Sequence, residues 1–310
     1  MRTLRLVLRL AAFALPITLS AAAFAGGLGA APERLGNARD GLTADIEGYR
    51  AKHPEAFEAL ANVKGHKPEV YKALRNPIPT IVTRELRGLG PAALLPMLEA
   101  LAFRAPARGD ATDAEWDALT AGMLEAVGVL RDPRSGPVVA AVFEASAGRP
   151  LVAGAAARAM GRVGTDALLA GLTRHTGKAD PLRFHAIQGL GELRRLESAR
   201  HLTALLEGAT DDATAQAVSD ALGVLGSSWA WRALGPKQAA TGAEVRAVCA
   251  RALVPVFVQR KGEVRTAAHD ALLMVESPVA IGLLETHRAA APAETARAID
   301  AILVHLAKKR

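Results

Sequence analysis

The stretch IQGLGELRRLESARHLTALLEG, residues 187–208, decides the fold because the chain repeats its pattern. A similar stretch stands thirty residues earlier, as ARAMGRVGTDALLAGLTRHTG at residues 157–177. Its first half returns as SDALGVLGSSWAWRAL at residues 219–234. Recurrence at about thirty residues is typical of proteins that stack copies of one small helical unit.

One residue of each copy serves as the anchor of the alignment, and it is a glycine in the clearest copies. The anchors are Arg87, Gly128, Gly161, Gly191, Gly223, Val254, Leu273 and Leu303, at intervals of 41, 33, 30, 32, 31, 19 and 30. The interval of 41 contains an extra loop, in which Thr112 and Glu115 predict a capping box for the next helix. The interval of 19 predicts that the repeat near Val254 has lost most of its second helix.

Each copy has the pattern of two helices joined by a tight turn. The residue before the anchor is apolar and the fifth residue before it is small, so Cys249 is predicted to be a buried small apolar side chain. Gly164 and Gly226 follow their anchors by three residues and predict the left-handed turn that ends a helix. One such hairpin cannot bury its own apolar face. The sequence therefore predicts an all-α solenoid of stacked helical hairpins over residues 79–310.

Short motifs within the copies resemble a known family. They are Asp180-Pro181-Leu182-Arg183, Glu244-Val245-Arg246 and Glu263-Val264-Arg265 at the start of a unit, and Ala221-Leu222-Gly223-Val224-Leu225-Gly226 at the end of one. They are similar to the short HEAT repeats of bacterial phycobilin-lyase-like proteins, which implies an armadillo-type superhelix. The arginines of these motifs are expected to tie neighbouring repeats together through acidic side chains. The units at Val254 and Leu303 depart from the pattern because they lack the glycine.

The N-terminus has the three parts of a secretory signal peptide. Arg2, Arg5 and Arg9 precede an uncharged run that ends in Ala23-Phe24-Ala25. We predict residues 1–25 as the signal peptide, cleavage after Ala25, a periplasmic or secreted location and no stable membrane span afterwards. The alternative is an uncleaved membrane anchor. Residues 26–78 are predicted as a flexible leader and an N-terminal helical cap, with helices that begin at Pro54 and Pro68.

Catalytic and metal-binding motifs are absent from the sequence. The eight histidines are dispersed, and no His-Glu pair, H-E-x-x-H, C-x-x-C, G-x-S-x-G or P-loop occurs. Basic residues are scattered, and export would separate the chain from chromosomal DNA. The sequence therefore predicts no enzymatic activity, no cofactor, no metal and no nucleic-acid partner.

With catalysis, metal binding and nucleic-acid binding excluded, the sequence favours a surface that binds a protein or peptide. Exposed Trp and Arg side chains and the cations at the ends of second helices are the candidates for it. The candidate partner-binding residues are Trp229, Trp231, Arg232, Arg174, His175, Arg200, His201, His287 and Arg288. We expect a non-catalytic scaffold that binds an envelope protein or peptide on its concave face. The alternative is an enzyme or accessory subunit that binds a small ligand or cofactor in the groove, and the oligomeric state stays open.

Overall fold

Helices make up all the regular secondary structure that the computed structural model describes, which covers residues 26–63 and 80–307. The helices are α1 (Ala38–Lys52), α2 (Pro54–Ala61), α3 (Thr80–Gly88), α4 (Leu94–Ala102), α5 (Asp113–Leu130), α6 (Gly136–Ala145), α7 (Pro150–Val163), α8 (Asp166–Arg174), α9 (Arg183–Glu192), α10 (Leu196–Glu207), α11 (Asp212–Leu225), α12 (Ser228–Ala233), α13 (Ala239–Gln259), α14 (Gly262–Val275), α15 (Pro278–Arg288) and α16 (Ala293–Ala307). The predicted all-α solenoid is confirmed.

The helices form two rows that share one apolar core. The first helices of the hairpins pack on one another in the order α3, α5, α7, α9, α11, α14 and α16. The second helices are α4, α6, α8, α10, α13 and α15, and each packs against the first helix that follows it in the chain. Every hairpin therefore buries its apolar face against its neighbours, as a stacked repeat requires.

The anchor glycines let consecutive first helices touch through their backbones. A methyl group on Gly128 would lie 2.8 Å from Cα of Ala159, and one on Gly223 would lie 2.8 Å from Cα of Ala271. A methyl group on Gly191 would likewise lie 2.9 Å from the carbonyl oxygen of Ala221. In each case the contacted residue stands two positions before the next anchor. Only glycine permits an approach this close.

The predicted repeat at Val254 is wrong. Val254 lies in α13, which occupies the row of second helices between α10 and α15. Leu273, 50 residues after Gly223, is therefore the next anchor in the first row. The additional length holds α12 and a short 3-10 turn at Pro236–Gln238. Val254 is fully buried, so its apolar spacing fits either row and the sequence pattern could not separate them.

Local predictions within the hairpins have mixed outcomes. The capping box is confirmed, because Thr112 Oγ1 accepts from the Glu115 amide and Glu115 Oε2 accepts from the Thr112 amide. Gly164 adopts the predicted left-handed conformation with φ of 71°, whereas Gly226 has φ of −84°. Gly226 instead leaves space for the Val275 side chain, since a methyl group at Gly226 would lie 2.7 Å from one of its carbons. Cys249 is buried as predicted, and burial raises the pKa of its thiol to about 12.

The start of the described chain is packed, in contrast to the predicted flexible leader. Leu28 and Ala30 are buried, and the Leu28 amide donates to the carbonyl of Ala100 over 2.9 Å. Arg149 Nη1 donates to the carbonyl of Leu28 over 3.0 Å. The helix predicted to begin at Pro54 is confirmed as α2. The predicted signal peptide and the helix predicted to begin at Pro68 lie outside the described residues.

Two of the three motif arginines, Arg246 and Arg265, bond mainly to backbone carbonyls instead of the predicted acidic side chains, whereas Arg183 Nε is buried without a hydrogen-bond partner in the described part of the chain. Arg246 Nε donates to the Val275 carbonyl over 2.7 Å, and Arg265 Nε donates to the Arg260 carbonyl over 2.9 Å. The acidic contact of Arg265 is with Glu294, at 3.5 Å. Carbonyls at a helix end need such donors because they have no partner within the helix. Arg246 and Arg265 therefore stabilise helix ends instead of forming a ladder of ion pairs.

Ion pairs between repeats come from other residues. Arg162 on α7 pairs with Glu125 on α5 through one nitrogen and with Glu192 on α9 through the other, over 3.0 Å. Arg158 also donates to Glu125, over 2.7 Å. Burial acts to raise the pKa of Glu125, but Arg162 and Arg158 outweigh it and hold that pKa below its ordinary value. The network therefore links three consecutive first helices.

Replacement of Glu125 tests this network through its pH dependence. The lowered pKa means that Glu125 stabilises the fold above the pKa of the unfolded chain and that this contribution is lost as pH falls through the folded pKa. We expect Glu125→Gln to lower the free energy of unfolding by about 2 kcal/mol at pH 7 and by much less at pH 3.5. Urea unfolding at both pH values measures this. Glu285→Gln, on the exposed surface of α15, is the control, and equal losses at both pH values would contradict the assignment.

Substitution of an anchor glycine tests the backbone contact between first helices. A methyl group on Gly161 would lie 2.1 Å from the Gly189 carbonyl oxygen, so Gly161→Ala must push α7 and α9 apart. We expect a loss of about 1–3 kcal/mol in the free energy of unfolding. The matched control is Gly282→Ala in α15, where the added methyl group meets open space and should stabilise the helix by up to about 1 kcal/mol. Two losses of similar size in urea unfolding would argue against the contact.

Candidate functional site

The irregular repeat between α11 and α14 builds a pocket of about 300 Å³. Residues that line it include Ser228, Trp231, Arg232, Pro236, Gly242 and Arg246. The candidates Trp229, Trp231 and Arg232 lie in α12, which ends after six residues. Gly235, with φ of 86°, turns the chain into Pro236, and α13 then supplies the second helix. The pocket lies where this turn folds back over α13.

Trp231 forms an apolar wall of the pocket. Its side chain is 5% exposed, and its Nε1 donates to the carbonyl of Leu225 over 2.8 Å. Gly242 on α13 faces the indole ring, and a methyl group at Gly242 would lie 2.9 Å from two ring atoms. The ring is therefore held flat against the backbone of α13, with its polar atom satisfied.

Trp229 points elsewhere, as residues two apart on a helix must. It is 73% exposed and does not line the pocket. The exposure expected of the tryptophan candidates therefore holds for Trp229 and not for Trp231.

Two guanidinium groups and one carboxylate set the charge of the pocket. Arg232 Nη1 lies 3.5 Å from Oε2 of Glu276, and the same oxygen accepts from Ser228 Oγ over 2.5 Å. Arg246 bonds to the carbonyls of Val275 and Glu276 at the end of α14. Burial lowers the pKa of Arg246, and Arg232 lowers it further against the opposing effect of Glu276. Each guanidinium group supplies one positive charge to the pocket.

The remaining predicted binding residues lie apart from the pocket. Arg174 is 3.6 Å from Glu144, while His175 Nδ1 contacts Asp180 Oδ2 over 2.8 Å. His201 Nε2 contacts the hydroxyl of Thr176 over 3.1 Å, and burial lowers the pKa of His201. Arg200 is exposed on α10, and His287 is half-buried near the end of α15. Arg288 forms an ion pair with Asp300 on α16. The structure brings Trp231 and Arg232 into the pocket, and these six residues are not among those that line it.

The sequence did not mark Arg246 and Gly242, which line the pocket, or Glu276, which contacts two of the lining residues. Arg246 was assigned to a repeat motif, and Gly242 stands outside the anchor register. Glu276 carried a usable signal, because it stands three residues after Leu273, where Gly164 and Gly226 stand in other repeats. An acidic residue in place of a helix-ending glycine was an irregularity that could have marked the site.

Metal ligands do not cluster in the described ranges. Within residues 26–63 and 80–307, no group of three His, Cys, Asp or Glu side chains is arranged to hold a metal ion. Across the same ranges, no helix combines the length and the apolar character that a membrane span requires.

Comparison with known proteins yields a structural similarity but no family. No protein-family model matches the sequence, and no curated protein matches it at a significant level. Among solved structures, the chain is similar to human deoxyhypusine hydroxylase in complex with glycerol, at 16% identity. The alignment covers 85% of this chain and 98% of the human one, with a TM-score of 0.29.

The prediction that the chain is not an enzyme is corrected by this comparison. The solved chain is an enzyme by name, whereas the sequence predicted no enzymatic activity. A TM-score of 0.29 transfers no activity, substrate or residue role to this chain. The pocket residues themselves are therefore the basis for a functional proposal.

Proposed function

We propose that this protein binds a small anionic organic ligand in the pocket between α12 and α13. The observation that carries the proposal is one cavity of about 300 Å³ that combines the indole of Trp231 with the guanidinium groups of Arg232 and Arg246. Small-molecule sites are typically concave and mostly apolar, with a few polar groups that fix orientation. An apolar wall beside two cations suits a ligand with a flat apolar body and a negatively charged end.

The size of the pocket limits the size of the ligand. A volume of about 300 Å³ is at the lower end of the range for ligand sites, so a single ring with one charged substituent is a fitting probe. Arginine recognises carboxylate with two parallel hydrogen bonds, which favours this head group over a neutral one. We therefore choose benzoate as the first probe.

These features of the pocket favour the alternative hypothesis from the sequence, a solenoid that binds a small ligand in its groove, over a scaffold for an envelope protein. A scaffold for an envelope protein stays a prediction. The exposed indole of Trp229 is the feature that a protein partner could contact in addition to the pocket.

Calorimetric titration with benzoate at low salt tests the proposal. We expect saturable one-to-one binding, and we expect Arg232→Gln to weaken it at least tenfold because a charge-assisted hydrogen bond is lost. Arg174→Gln is the matched control. Both arginines are 67% exposed, and each lies 3.5–3.6 Å from one glutamate, so both variants lose the same charge from similar surroundings.

The control separates a local contact from an effect of net charge. Equal weakening in Arg174→Gln and Arg232→Gln would assign the effect to the charge of the whole protein. No saturable binding of benzoate by the unaltered protein would contradict the proposal.

We also propose that the repeats are of the short HEAT type and that the protein is exported. The support for export is the basic, apolar and A-x-A pattern of residues 1–25. Intact-mass measurement of the protein from its native cells tests this, and we expect a chain that begins at Gly26. A chain that keeps Met1 to Ala25 would contradict cleavage.

A further inference from the structure

Glu276 has a backbone conformation that glutamate seldom adopts. It ends α14 with φ of 47° and ψ of 39°, in the left-handed region. That conformation costs about 1–2 kcal/mol for a residue with a Cβ atom and nothing comparable for glycine. Gly164 ends α7 at the same position relative to the anchor with φ of 71°. Arg131 is the other described residue with a side chain and a positive φ.

The strained conformation places the Glu276 carboxylate beside the pocket. Its Oε2 accepts a hydrogen bond from Ser228, which lines the pocket, and lies 3.5 Å from Arg232 Nη1. The Glu276 side chain is 15% exposed, so solvent screens it much less than a surface carboxylate. Backbone strain beside a cleft is a pointer to function when the strained residue contacts side chains that line the cleft.

The carboxylate changes which anions the pocket can hold. Arg232 and Arg246 supply two positive charges and Glu276 supplies one negative charge, so the three groups together carry a net charge of +1. A ligand with one negative charge therefore balances the net charge of these three side chains. Glu276 repels each negative charge of a ligand, so its unfavourable contribution is about twice as large for a dianion as for a monoanion.

We infer that Glu276 is a specificity-determining residue that makes the pocket selective for monoanions, such as carboxylates, over dianions, such as phosphate esters. This inference rests on the proposed function and names its ligand class. Glu276 acts by fixing the position of Arg232 and by repelling excess negative charge.

A matched pair of probes tests the selectivity. Benzoate and phenyl phosphate share one ring, and at pH 8 the first carries one negative charge and the second carries two. We expect the unaltered protein to bind benzoate more tightly, as measured by calorimetry at low salt. Glu276→Gln keeps the side-chain length and a hydrogen-bond acceptor for Ser228 but removes the charge. We expect it to shift the ratio of the two dissociation constants about tenfold toward phenyl phosphate.

Two controls distinguish charge from structure. Glu285→Gln makes the same change in net charge on the exposed surface of α15 and should leave the ratio unchanged. Arg131→Gly relieves a left-handed residue at the same register position away from the pocket, so it should change stability without changing the ratio.

The outcomes separate this inference from the proposed function. Binding of both probes with the same ratio in Glu276→Gln would overturn the role of Glu276 and leave the pocket standing. Tighter binding of phenyl phosphate by the unaltered protein would also overturn it. No binding of either probe would overturn the pocket and the inference together.

Discussion

Contact between the backbones of consecutive first helices is the constraint on which the rest of the structure depends. The anchor glycines bring each first helix against a small residue two positions before the next anchor, as Gly128 meets Ala159. That contact fixes the spacing and register of the row, and the second helices then fill the space between successive first helices. The chain builds a large shared core from Ala, Leu and Val because helices this close leave little room for aromatic side chains.

The candidate site occurs where the repeat is interrupted. Gly223 still meets Ala271, so α11 and α14 are neighbours in the first row although a long insertion separates them in sequence. The insertion has no place in that row, so α12 and the turn after it fold over α13 and leave a cavity. The irregular repeat thereby brings an indole and two guanidinium groups together in one pocket, with a carboxylate beside them.

The sequence predicted the fold well because the anchor pattern reports a contact made by neighbouring units. It assigned Gly164 correctly, since a helix-ending glycine is marked within one hairpin, and it assigned Cys249 as buried although the register at Val254 that placed it was wrong. It failed at Val254, because a buried apolar residue has the same spacing in either row of helices. The packed segment at Leu28 was missed for a different reason: its hydrogen bonds reach α4 and α7, far along the chain.

The candidate site was only half visible from the sequence. Trp231 and Arg232 stand out by residue type, and both line the pocket. Arg246 and Gly242 join them only through the packing of α13, which no local pattern encodes. The paired cations on other second helices matched the same expectation for binding residues, yet the contacts of Arg174, His175 and Arg288 are ion pairs with Glu144, Asp180 and Asp300.

The most direct test of a ligand pocket in the irregular repeat is a crystal of the protein soaked with 4-bromobenzoate, with bromine located by its anomalous scattering. We expect a single strong bromine peak beside the indole of Trp231, with the carboxylate toward Arg232 and Arg246. A crystal that shows no bromine in this pocket at a saturating concentration, or shows it bound only elsewhere, would contradict the assignment.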